Sequence, residues 1–408
     1  GVSIGYSPSG PFRLPGNAPK NERSRIRIVR SDFLLRLSVM RRRRSRCGYG
    51  QRMARIFQQM VARPDSRQIA SELEEQGFDG VSFVDSQNLS GDVYVAMTTA
   101  VLATEDLHVS SGVTNPVTRH PAVTAGAAAS VNRLAAGRVQ LGIGRGDSAL
   151  AHLGRAPARV KDFEHYLSTL QAYLRGEEIP FDALDFAESL APPVDELELA
   201  DTAGTSQIFW LPGSSGKVPV EVSATGPKVI GAAARHAERI MFALGAAPER
   251  VAWGIDIARS ARSDAGLDPD DLAYGAYVNV VCHGDLDRAR DLVRGGLSTF
   301  ARFSVMHGEV IGPVSEAERK VMGELHDSYD MNSHTRADSQ QAAVLTPEFV
   351  DSYAIVGGPD VCVERIRALD DLGLDKLIFV GATMGSNREI ATESDALIRE
   401  EVLPNCRD

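Results

Sequence analysis

Residues 107–147 read LHVSSGVTNPVTRHPAVTAGAAASVNRLAAGRVQLGIGRGD. Two short apolar runs, 108–113 and 138–143, each end in glycine-bearing polar residues and flank an Ala-rich stretch of helical spacing. Strand, loop, helix, strand, loop is one βαβ unit. After the first predicted strand come Gly112, Val113, Thr114, Asn115 and Pro116; after the second, Gly142, Gly144 and Gly146 alternate with Ile143 and Arg145 and lead to Asp147. Ligands of parallel α/β folds gather at the carboxyl ends of strands. Glycine at every second position bares one backbone face to a flat ring or a phosphate. The same glycines can simply turn the chain, and their spacing is not that of the GxGxxG dinucleotide fingerprint.

The alternation continues on both sides. Predicted strands cover 55–62, 78–84, 218–222, 239–244, 274–282 and 376–380, with helices at 67–76, 93–104, 158–174, 228–236, 248–265, 286–303 and 359–372. About eight strands, each followed by a helix, favour a closed (β/α)₈ TIM barrel with insertions over an open doubly wound sheet. The stripe Phe163, Tyr166, Leu167, Leu170 and Leu174 reads as core. Two stretches stay outside the repeat. Residues 176–217 are rich in Pro, Gly and acids and carry Phe209 and Trp210, which suits a lid whose aromatics touch substrate or else a spacer. Residues 304–352 are irregular, with His307, His326 and His334 at no metal-binding spacing.

The chain of 408 residues carries a net charge of -10, unevenly. Residues 1–52 hold thirteen Lys and Arg against two acids, including the run Arg41 to Arg44, so the remainder is strongly acidic. That acidic body argues against nucleic acid. The head reads as a basic, disordered extension in front of a single barrel domain over 53–408, with a transit peptide as the alternative. No run of 18 apolar residues exists, so no membrane span is expected. Cys47, Cys282, Cys362 and Cys406 are far apart in sequence and form no CxxC or His-Cys cluster; neither disulfides nor a metal are expected, in keeping with a reducing cytoplasm.

Taken in order, EEQGFDGVSFVDS (74–86), GVTNPVTRHP (112–121), GRVQLGIGRGD (137–147), VPVEVSATGPKVIGAAARHAERI (218–240) and YAIVGGPDVCVERIRALDDLGLDKLIFVG (353–381) resemble the luciferase-like monooxygenase superfamily. Within it they look like the deazaflavin (coenzyme F420) branch typified by methylenetetrahydromethanopterin reductase.

The resemblance implies an oxidoreductase that moves a hydride between F420 and a small organic substrate. An FMN-dependent monooxygenase of the same fold is the alternative, and a non-catalytic flavin-binding protein a second one. It further implies a cis peptide between Gly112 and Val113 behind the redox ring, with Gly112, Val113, Thr114, Asn115, Gly144 and Gly146 around that ring. Ala224, Thr225, Gly226 and Lys228 would hold phosphate, and Gly226-Pro227 at a helix start is by itself a ready anion site. Asp147 and Asp85 are the catalytic candidates; read from spacing alone, each could equally be a cap. The family's occasional histidine after Asp85 is here Ser86. His120, before Pro121, reads as a loop histidine holding backbone groups. A homodimer is implied by resemblance alone.

Overall fold

A computed structural model describes residues 53–187, 189, 191–211 and 216–407. The expectations for the basic head, Cys47 included, fall outside these residues. Eight parallel strands close into a ring: β1 (Arg55–Val61), β2 (Gly80–Val84), β3 (His108–Ser111), β4 (Val139–Ile143), β5 (Val220–Ala224), β6 (Arg239–Phe242), β7 (Ala273–Cys282) and β9 (Lys376–Val380), with β9 pairing back onto β1. An additional strand, β8 (Ile355–Gly357), pairs with the carboxyl end of β7 and lies outside the ring. β7 is an almost unbroken apolar run, as a strand covered on both faces requires.

Helices α1 (Ser66–Glu75), α2 (Val93–Val101), α3 (Pro121–Leu134), α4 (Val160–Arg175), α5 (Pro227–His236) and α6 (Pro248–Asp264) alternate with the strands. Their starts were legible in the sequence. His120 caps α3, its Nδ1 accepting from Ala122 N at 3.2 Å, and the Phe163 to Leu174 stripe of α4 is buried. After β7 come α7 (Leu286–Phe303), α8 (Glu316–Ser328), α9 (Pro347–Tyr353), α10 (Pro359–Asp370) and α11 (Arg388–Leu397). The stretch 304–352, expected to be irregular, is thus largely helical. The signal was present: Ser315 and Glu318 form a capping box in front of Val321, Met322 and Leu325, which pack into the core with Phe349 and Tyr353. Among the described residues no helix is long and apolar enough to cross a membrane.

The barrel interior is filled from its amino-terminal end. Lys376 Nζ donates to Glu221 Oε2 at 2.7 Å and Gln140 Oε1 at 2.6 Å, and lies 3.8 Å from the Phe57 ring centroid. Glu221 also accepts from Arg239, whose Nε reaches Asp375 at 2.7 Å. Burial pushes the Lys376 ammonium down to about 8 against the opposing pull of Glu221. Above this charged layer sit Phe57, Met241, Tyr277 and Ile378. Barrels of this kind bind their ligands at the opposite, carboxyl-terminal mouth.

Within the stretch 176–217, Phe186 stacks on His120 at the start of α3, with ring centroids 4.5 Å apart, while the two aromatics expected to touch substrate lie elsewhere. Trp210 lies against Arg133, in the last turn of α3 and therefore away from the mouth, and Phe209 is 73% exposed. Backbone pairing of Ile179 with Ser206 and a 2.7 Å hydrogen bond between Tyr173 Oη and Ser206 Oγ hold this segment against α4.

Candidate active site

The mouth is built on the junction of β3 and β4. The Gly112–Val113 peptide is cis. Its carbonyl accepts from Gln59 Nε2 at 3.1 Å, and Ser111 Oγ donates to Gly142 O at 2.7 Å. Pairing then resumes, with Thr114 N donating to Gly142 O and Gly144 N to Thr114 O. Val113 packs down onto the Phe57, Met241, Tyr277 and Ile378 layer. The glycine alternation serves this junction. A Cβ on Gly142 would run into Ser111 O, and one on Gly144 would lie 3.0 Å from Val113. Gly146 has φ +80° and room only for hydrogen beside Leu150. Gln59, awkward in an apolar strand, has its use here.

Thr114 and Asn115 sit at this junction with different fates. Thr114 is fully buried and its Oγ1 has no partner among the described residues. Asn115 directs its amide into its own loop: Oδ1 accepts from Val117 N and Thr118 N, both at 3.1 Å, and Nδ2 donates to Gln87 Oε1. Asp85 is committed as well. Its Oδ2 accepts from Arg119 at 2.5 Å and its Oδ1 from Gln87 at 2.8 Å, while Arg119 also reaches Asp92, the cap of α2. It is neither a helix cap nor a free acid.

Asp147 stands at the start of the short helix Ser148–Ala151 but makes no side-chain cap; it accepts from Arg302 Nη2 instead. Arg302 belongs to α7, which crosses the mouth. Gly296 lies against Asn279 of β7 and Val380 at the end of β9, Phe300 packs on Tyr277 in the layer that Val113 also covers, and Arg302 reaches the loop after β4. The guanidinium rests 4.5 Å from the Tyr329 ring centroid. Tyr329 Oη is shared with His334 Nδ1 at 2.8 Å and Thr299 Oγ1 at 3.2 Å. Burial, reinforced by Arg302, pushes His334 down to about 4, so it is neutral at physiological pH. The 304–352 stretch therefore forms part of the rim. Sequence reading missed Arg302, Tyr329 and His334; the pair Gly295-Gly296 inside α7 was the available sign that something approaches this helix closely.

On the next strand, Ala224 ends β5 and Thr225 Oγ1 donates to Ala243 O at 3.3 Å. Gly226 is the N-cap of α5 without a side-chain cap, Pro227 follows at N1, and Lys228 is exposed. Ile311 from the 304–352 stretch lies 3.3 Å from where a Gly226 Cβ would be. The structure thus brings Gly112 to Asn115, Gly144 to Asp147 and Ala224 to Lys228 to the ends of three adjacent strands.

A family model described as luciferase-like monooxygenase matches residues 49–376. The 5,10-methylenetetrahydromethanopterin reductase of Methanolobus tindarius is 25% identical over 335 residues, which are 81% of this chain and 93% of that protein. The coenzyme F420 dependent tetrahydromethanopterin reductase from Methanopyrus kandleri superposes with a TM-score of 0.62 at 20% identity, covering 86% of this chain and 99% of the other. A monooxygenase from Streptomyces bottropensis gives 0.57 at 18% identity, covering 86% and 99%. The structural likenesses establish the barrel.

Proposed function

The chain belongs to the luciferase-like monooxygenase family, and from that premise we propose that it transfers a hydride between coenzyme F420 and a small organic substrate. One observation carries the reading: a packed backbone junction with an unpartnered Thr114 hydroxyl lies one strand away from an uncapped helix start bearing Lys228. The rim therefore fits a group that combines a hydrogen-bonding ring with phosphate. When bound, the deazaflavin supplies the hydride chemistry. The chain would seat its ring on Val113 and Thr114 and its phosphate on the amides of the α5 start. Gln59, Asn115 and the glycines shape the junction and do not grip the ring. Asp147 is an acceptor in its pair with Arg302, so its part is to orient Arg302. The curated relative's reductase activity and the TNPVTRHP loop favour hydride transfer over oxygenation.

Parallel fluorescence titrations with F420 and FMN test this reading. A saturable response to F420 is expected. Binding of FMN alone, with oxygen-dependent consumption of its reduced form, would replace the proposal with an FMN-dependent monooxygenase. Retention of flavin without turnover of any kind would leave a binding protein. The homodimer is proposed to form across α2 and α3, where Val95, Leu102, Val123 and Leu134 are each more than half exposed.

A further inference from the structure

Arg302 reaches the end of β4 from α7, whereas Arg145, just after β4, donates to Ala158 O. Asp147 neutralises Arg302, His334 is held neutral, and Tyr329 contributes a ring face and a hydroxyl already shared with His334 and Thr299. Phe300 and Phe303 on α7 add apolar surface beside Arg302. Arg302 itself is 8% exposed, and its Nε–H is buried with no partner among the described residues. A buried N–H donor left without an acceptor is costly, and more so on a charged group. Asn279 Nδ2, at the same end of the barrel, is also buried without a partner, as is the Thr114 hydroxyl. This end of the barrel therefore offers donors that lack an acceptor among the described residues, beside a neutral Asp147–Arg302 pair.

We propose that the Asp147–Arg302 pair is the substrate-recognition element of the rim, and that it selects a neutral, oxygen-bearing molecule, a ketone or aldehyde or the corresponding alcohol, over carboxylates, phosphates and amines. The proposal deepens the hydride-transfer reading and rests on it. A second anion would meet Asp147 and an ammonium would meet Arg302, each without a compensating charge in a desolvated setting. A carbonyl oxygen needs only the free Nε–H. In the reductive direction the reduced deazaflavin gives a hydride, with its electron pair, to the carbonyl carbon. The C=O π pair moves to oxygen, where Arg302 stabilises the developing charge, and that oxygen takes a proton from water.

The test uses cofactor-loaded protein and three probes of matched skeleton: cyclohexanone, cyclohexanecarboxylate and cyclohexylammonium. Binding is read by saturation-transfer NMR. Cyclohexanone is expected to bind at least about tenfold more tightly than either ion, and Arg302→Lys, which keeps a cation beside Asp147 but lacks the Nε–H, to lose about tenfold in ketone affinity with cofactor affinity unchanged. Equal or tighter binding of the carboxylate, unchanged ketone affinity in Arg302→Lys, or no ketone signal in cofactor-loaded protein would each overturn the proposal. Failure to load either cofactor would instead defeat the hydride-transfer reading, and would be seen before any probe is added.

Discussion

Arg302, near the end of α7, donates to Asp147 at the end of β4, joining the helix that crosses the barrel mouth to the strand on its far side. Both side chains are largely buried, so removal of one partner leaves the other charge poorly solvated. Asp147→Asn is expected to cost about 1–3 kcal/mol of stability, with Asp147→Asn/Arg302→Met recovering part of the loss. Urea denaturation of the two single variants and the double variant gives the coupling directly; additive losses would mean the pair is not formed.

The charged layer at the other end of the barrel is expected to matter more for stability and nothing for recognition. Lys376→Met strands Glu221, which is 1% exposed, with Arg239 as its remaining cation, and should cost about 3–5 kcal/mol in denaturation experiments. Cofactor affinity measured well below the melting temperature should stay at the wild-type value.

Acid should weaken the fold before its carboxylates titrate. His108 is pushed down to about 4 by burial and by Arg55 and Lys376; His334 is pushed down to about 4 by burial and by Arg302, with Asp147 opposing. The unfolded chain takes these protons near pH 6.5, the folded one only near 4, so this stabilisation is full above about 6.5 and is lost as pH falls towards 4. Each histidine should contribute at most about 3 kcal/mol, less where solvent screens the ring. Denaturation at a series of pH values should show the decline, and His108→Gln should remove about half of it; a profile flat from pH 7 to 4.5 would contradict the burial of both rings.

Self-association across α2 and α3 gives a further test. Val95→Glu combined with Leu102→Lys should convert a dimer to a monomer in sedimentation velocity while leaving the melting temperature of the monomer within a few degrees. A wild-type protein already monomeric at micromolar concentration would remove this interface.

The barrel was readable because its elements carry local signals: apolar runs for buried strands, Pro121, Pro227 and Pro359 at helix starts, and Gly77 and Gly176 at helix ends. The junction at Val113 was anticipated from the family resemblance and the α5 start at Gly226 from the Gly-Pro pair as well, and each lies in a short stretch whose residues touch one another. Arg302, Tyr329 and His334 meet Asp147 from 155 or more positions away, and no local pattern encodes such a meeting. The ion pair of Asp85 had no local signal, because its partner Arg119 lies beyond the intervening α2. Trp210 lies at the other end of α3 from Phe186; composition tells how exposed a loop is, not which end of the barrel each of its residues visits.

The claim on which the rest depends is that the β3–β4 junction and the start of α5 bind one and the same cofactor. It is tested most directly by titrating wild-type protein and Gly226→Asp with F420 and following the cofactor's fluorescence. An acid at that helix start would face the phosphate and displace Ile311, so saturable wild-type binding should weaken by at least about tenfold in the variant, with the fold intact by circular dichroism. Equal affinity in the two proteins, or no F420 response in the wild type, would contradict it.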